Sequence, residues 1–120
     1  MTTTKTIGDF GEECATKYLK SKGYTILKRN FHSHFGEIDI IARDSDNCLI
    51  FVEVKTRKNT LYGNPSEFVD FKKQAKLRKT ALFYTHRDDV DMRFDIIEVI
   101  YSVIDNKAKV THINHIENAF

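Results

Sequence analysis

Apolar residues recur at helical spacing near the start of the chain: Ile7, Phe10, Cys14 and Tyr18, with Ala15 and Leu19 beside them. That period predicts a helix over residues 8–22, with Gly23 as its stop. Residues 24–31 (YTILKRNF) and 36–42 (GEIDIIA) read as strands, and residues 44–47 (DSDN) as a turn. Residues 48–55 (CLIFVEVK) form a third strand, rich in β-branched and aromatic side chains. A polar loop is expected over 56–65. A second helix follows over 66–84, started by Pro65-Ser66-Glu67 and striped by Leu77, Ala81 and Tyr84. Residues 93–104 and 109–116 complete the pattern as a fourth and a fifth strand. The order is α-β-β-β-α-β-β, an α/β fold in one domain spanning 1–120. The first three strands allow antiparallel pairing, and the long helix before the fourth allows a parallel crossover.

Composition narrows the class. Of 120 residues, 41% are hydrophobic and 30% charged, with only five glycines and one proline. That excludes collagen-like, low-complexity and disordered chains. No apolar run approaches the roughly 20 residues of a membrane helix. The first six residues, MTTTKT, carry no signal-peptide core. Cys14 lies on a helical stripe and Cys48 opens a strand, so both read as buried thiols rather than a bridge. A cytoplasmic protein without membrane attachment is expected.

The net charge of +2 disfavours a basic nucleic-acid module until it is divided along the chain. Residues 1–54 carry a net −1, residues 55–87 a net +7 and residues 88–120 a net −4. The positive third is the electrostatic footprint expected for phosphate contacts, although a solvated helix face gives the same count.

The candidate chemistry lies where the charge changes sign. Strand alternation puts Glu37, Asp39 and Ile41 on one face of the second strand, against Ile38 and Ile40. On the third, Leu49, Phe51, Glu53 and Lys55 oppose Ile50, Val52 and Val54. If these strands pair, Asp39 and Glu53 approach each other. Neighbouring carboxylates repel unless something positive sits between them. A hard cation such as Mg²⁺ accepts one or two carboxylates plus substrate phosphate, and activates water against a phosphodiester. A nearby lysine can position that water or stabilise negative charge. The Glu-Val-Lys triplet alone is weak, since half-exposed strands often carry such residues. Glu12 borders the apolar stripe of the first helix and can reach the sheet, whereas Glu13 points into the polar arc with Lys17 and Lys20. Glu12 also suits a helix N-terminus without any ligand role. On the second helix Lys73 and Gln74 continue the inward stripe, while Lys72, Lys76 and Lys79 lie to another side. The histidines form no structural-zinc spacing.

Together these residues carry a resemblance. Gly8-x-x-Gly-Glu12-x-x-Ala15-x-x-Tyr-Leu19, Gly23-Tyr-x-Ile-Leu27-x-Arg-Asn30, Gly36-Glu-Ile-Asp39 and Phe51-Val-Glu-Val-Lys-Thr-Arg57 resemble the YraN family of bacterial proteins. Gly63-x-Pro65, Lys73-Gln74 and Arg93-Phe-Asp95 extend the match over nearly the whole chain. That family is similar to the restriction-endonuclease-like PD-(D/E)XK nucleases, with archaeal Holliday-junction resolvases as relatives. The resemblance implies a mixed sheet flanked by helices. It makes Asp39 the motif aspartate, Glu53 the second acid, Lys55 the motif lysine and Glu12 the helix acid completing a metal site. Gln74 matches a polar residue of the second helix. Ile38 stands where the superfamily pattern has proline, and His32 where many YraN-like chains carry arginine.

The function expected is a Mg²⁺-dependent endonuclease, with Mn²⁺ as substitute, hydrolysing DNA and in particular branched or structured DNA. Glu12, Asp39 and Glu53 would hold the ion and Lys55 would assist the chemistry. Arg57, Lys58, Lys73, Gln74 and Lys76 would meet the nucleic acid. A homodimer would suit a junction cutter, which must address two strands. The alternatives are a nucleic-acid-binding protein on the same fold with little catalysis, and an interaction protein that binds no nucleic acid.

Overall fold

The computed structural model describes residues 4–59, 69–87 and 89–120. Its elements are α1 (Thr4–Ser21), β1 (Thr25–Ser33), β2 (Gly36–Arg43), β3 (Leu49–Lys58), α2 (Phe71–Thr85), β4 (Met92–Ile104) and β5 (Lys107–Ile116). This is the expected α/β order. The five strands form one mixed sheet in the order β1-β2-β3-β4-β5. β3 and β4 are parallel and every other pair is antiparallel. α2 is the connection that lets β4 return in the same direction as β3.

The alternation of β3 explains why a helix lies on each face. Ile50, Val52 and Val54 turn to α1, where Ala15 and Leu19 pack with Ile40, Ala42, Ile97 and Val99. Leu49 and Phe51 turn to α2, where Leu77 and Ala81 pack with Ile38, Ile41, Phe94 and Ile96. Central β3 and β4 bury both faces, and only such strands can be apolar in successive positions.

Local chemistry sets the boundaries. α1 ends where Gly23 adopts φ 90°, with Gly23 N–H donating to Lys20 O and Tyr24 N–H to Leu19 O. That pair of bonds satisfies carbonyls the helix leaves open. Asp105 and Asn106 both take left-handed φ, of 53° and 62°, and join β4 to β5 by a two-residue turn.

Three expectations are corrected. β3 runs on to Lys58, three residues past its expected end, because β4 is long enough to pair with it as far as Lys58↔Tyr101. The backbone ladder overrides the polar side chains of Thr56-Arg57-Lys58. The described α2 begins at Phe71, with Asp70 as its N-cap, accepting from Lys73 N–H. Pro65-Ser66-Glu67, expected as its start, lies outside the described residues, as does Gly63. The third correction concerns β2: Ile38 and Ile40 do not share a face. Ile38 packs with Ile41 toward α2, while Ile40 packs with Ala42 toward α1. The alternation breaks around Asp39. On neighbouring β1, Asn30 is in the left-handed region, between Arg29↔Ile40 and Phe31↔Ile38.

Candidate functional site

That break positions the first acid. β2 pairs with β3 only from Ile40↔Val52 to Arg43↔Leu49, so the two strands part beyond Ile40. Val54 N–H is left beside the gap. It donates to Asp39 Oδ2 at 2.8 Å. The carboxylate of Asp39 thus replaces a ladder bond and is fixed between the two faces of the sheet.

Glu53 meets Asp39 from the α2 side. Its side chain is only 14% exposed, and its carboxyl donates a hydrogen bond to Asp39. Burial, then the neighbouring charge of Asp39, push Glu53 up to about 7. The pair therefore shares a proton over much of the acid range. Burial also raises Asp39, against the opposing pull of the Val54 N–H and the Glu53 hydroxyl. Lys73 Nζ, 3.3 Å from Glu53 Oε1, supplies the compensating positive charge.

Glu12 approaches from the α1 side. Gly11 makes this possible: a Cβ there would overlap Thr56 Oγ1, so glycine lets α1 lie close against β3. Glu12 is 15% exposed. Burial first, then the charge of Asp39, raise its pKa. Its Oε1 is buried without a hydrogen-bond partner and lies 4.0 Å from Arg29. Glu13, by contrast, is exposed and pairs with Arg29 at 3.1 Å, as its place in the polar arc predicts.

Lys55 lies two residues beyond Glu53, on the strand face shared with Phe51, and opposite Glu98 in the parallel register. Arg57 follows on that face and is held by buried Glu98 at 2.8 Å. Lys58 is exposed at the end of β3. Gln74 donates to Val69 O and so braces the entry to α2. Lys73, Lys76 and Lys72 all line one groove of about 370 Å³ with Gly36, Glu37 and Glu53. Lys73 turns to Glu53 on the sheet, while Lys72 and Lys76, from another side of the helix, line the mouth of the same groove.

Oxygen donors of this kind suit a hard divalent cation, and Mg²⁺ needs only one or two protein carboxylates. Among the described residues, however, no three His, Cys, Asp or Glu side chains are gathered tightly enough to hold an ion as they stand. The acids are instead neutralised by a shared proton, by Lys73 and by Arg29.

Sequence reasoning assigned no role to Arg29, Glu98 or the Val54 N–H. The signal for Arg29 is its place on β1 two residues from each of two apolar side chains, Leu27 and Phe31. Nothing local marks Glu98 or Val54, because both act across strands.

Comparison with known proteins places this arrangement in a family. The profile described as "Uncharacterised protein family UPF0102" matches residues 11–99, which include every acid discussed above except those near the C-terminus. A "UPF0102 protein" of Clostridium botulinum (strain Loch Maree / Type A3) is 47% identical over 120 residues, covering 97% of this chain and 94% of the relative. One of Syntrophomonas wolfei is 44% identical over 117 residues, covering 95% and 96%.

Proposed function

This chain belongs to the UPF0102 family, and we propose that it is a Mg²⁺-dependent endonuclease of the YraN type, with the PD-(D/E)XK constellation Asp39, Glu53 and Lys55. The observation that carries this reading is the juxtaposition of two largely buried acids where β2 and β3 separate, Asp39 fixed by Val54 N–H and Glu53 hydrogen-bonded to it. A fold gains nothing from burying two acids together, since charge is costly there without a partner. A cation held by Asp39 and Glu53, with Glu12 as a third acid, would relieve that cost. Bound there, Mg²⁺ would lower the pKa of an attacking water and neutralise charge on the scissile phosphate.

The chain's own residues have separable roles. Asp39 is fixed by Val54 N–H and needs no reordering. Glu53 gives up its proton above about pH 7 and then presents a second carboxylate. Lys55 positions the water or stabilises the developing negative charge. Lys73, Lys76 and Lys72 hold the DNA backbone along the groove, with Lys58 at the strand end. Arg57 acts through its ion pair with Glu98, and Gln74 keeps the helix entry in place.

The test is incubation with Mg²⁺ or Mn²⁺ and a panel of duplex, flap and four-way-junction DNAs. Cleavage that disappears in Asp39→Ala and Lys55→Ala is expected. No cleavage of any member, or cleavage indifferent to both substitutions, overturns the reading.

One observation favours a second reading, nucleic-acid binding with little catalysis. Lys73 already occupies Glu53 Oε1, as a permanent counter-charge would. Salt-sensitive DNA binding that persists in chelator, with no nicking, distinguishes it.

A further inference from the structure

The groove continues into a surface that the carboxylate chemistry does not use. Gly36 lines the groove, while its neighbour Phe35 lines a second, shallow depression of about 660 Å³ with Leu82, Phe83 and Lys79. The hairpin tip is pressed onto α2 at Gly36, where a Cβ would stand 3.4 Å from Thr80 Oγ1. This brings Phe35 against Phe83, with ring centroids 6.1 Å apart. His34 lies against Phe35 with ring centroids 4.0 Å apart and the planes tilted by 38°, and His86 stands 5.9 Å from Phe83. Phe35 and Phe83 remain 36% and 41% exposed. Four aromatic rings thus form an open, partly solvated cluster.

Charge flanks the rings on the side toward the acids. Lys72, Lys76 and Lys79 recur along α2 at spacings that put them on one side of the helix, ending at Phe83. Lys76 and Lys79 make no salt bridge among the described residues, whereas Arg87 is engaged by Asp89 at 2.8 Å. From Lys73 to Phe83 the helix rises about 15 Å. A positive track therefore leads from Glu53 to the aromatic cluster.

We infer that the Phe35–Phe83 cluster is a stacking platform for unpaired bases, so that the DNA recognised carries a single-stranded segment running from the carboxylate groove along α2. The inference builds on the nuclease reading by naming its substrate class. Bases present apolar faces and the backbone presents phosphates, a pairing that matches rings bordered by lysines. A surface for a second copy of this chain would gain nothing from the lysine row, because like charges would meet across a symmetric interface.

The experiment uses fluorescence anisotropy in chelator, where cleavage cannot occur. The probes are a labelled thymidine oligonucleotide, the same length of abasic backbone, and a blunt duplex. Wild type should bind the thymidine strand more tightly than the abasic one. Phe35→Ala and Phe83→Ala, both at exposed positions, should each weaken thymidine-strand binding by about 5- to 150-fold and leave duplex binding within about twofold. Thermal melting of each variant checks that the fold is kept. Equal binding of thymidine and abasic strands overturns the inference, as does an equal loss on duplex. A concentration-dependent dimer that Phe83→Ala dissolves also overturns it, and assigns the patch to a second copy. Asp39-dependent cleavage of duplex with base-blind binding would sink the platform and keep the nuclease. Base-dependent binding with no cleavage of any substrate would do the reverse.

Discussion

Replacing Glu53 with glutamine probes the acid pair directly. Gln keeps the size and a hydrogen-bond donor toward Asp39 but cannot ionise. In the wild type, the ordinary glutamate value of 4.5 is moved to about 7 by burial and by the charge of Asp39. Between those two values the native protein holds a proton that the unfolded chain has released. Stability therefore falls as pH rises through that window, and the cost is absent below pH 4.5. At about 1.36 kcal/mol per pH unit, the ceiling is about 3 kcal/mol by pH 8. Urea unfolding of wild type and Glu53→Gln at pH 4.5, 6, 7 and 8 measures it. Every group other than residue 53 is common to both proteins, so the difference between the two curves is the informative quantity. It should grow with pH in favour of Glu53→Gln. Adding Mg²⁺ at pH 8 at about 100 times its Kd should return about 2.7 kcal/mol to the wild type, and much less to Glu53→Gln. Curves that stay parallel from pH 4.5 to 8 would refute the shared proton, and with it the physical basis of the site.

Other outcomes follow from the same geometry. Lys73→Met removes the positive charge that holds Glu53 down, so the pH above which Mg²⁺ binds should rise; calorimetric titrations at several pH values with an unmoved profile would count against the ion pair. Gly11→Ala forces a methyl against Thr56 and should cost about 1–3 kcal/mol. It should also weaken Mg²⁺ binding by displacing Glu12, and a variant with wild-type urea midpoint and Mg²⁺ affinity would show that α1 can move freely. Asp95 is fully buried, and although burial alone would raise it, hydrogen bonds from His115, Arg93 and Asn118 N–H hold it below its ordinary value. Its contribution is present above the ordinary aspartate value of 3.8 and is lost as pH falls through the lower folded value. Asp95→Asn should therefore cost about 3–5 kcal/mol near neutral pH by urea unfolding, with the gap to wild type closing in strong acid.

Much of the fold is legible one residue at a time. The 3.6-residue stripe through Phe10, Cys14 and Tyr18, and the glycine at 23, define α1 without any partner. The split of Leu49, Phe51 and Glu53 from Ile50, Val52 and Val54 separates the two faces of β3, and packing then assigns α2 to the first and α1 to the second. The approach of Asp39 to Glu53 follows from a tight turn between two apolar strands, and the position of Glu12 from its place beside Ala15 and Leu19.

Other features depend on contacts far apart in sequence. β3 extends through Thr56-Arg57-Lys58 because β4 offers it hydrogen bonds. Ile38 changes faces because β2 parts from β3 and β1 is irregular at Asn30. The aromatic cluster joins His34 and Phe35 to Phe83 and His86, which only the docking of the hairpin tip on α2 brings together. Sequence by itself determined the elements, their order and the identity of the acids, since periodicity and side-chain chemistry are local. Tertiary structure decided how the charge is balanced: a proton between Asp39 and Glu53, Lys73 on Glu53, and Arg29 beside Glu12. That balance depends on burial and on distance, neither of which any stretch of sequence contains.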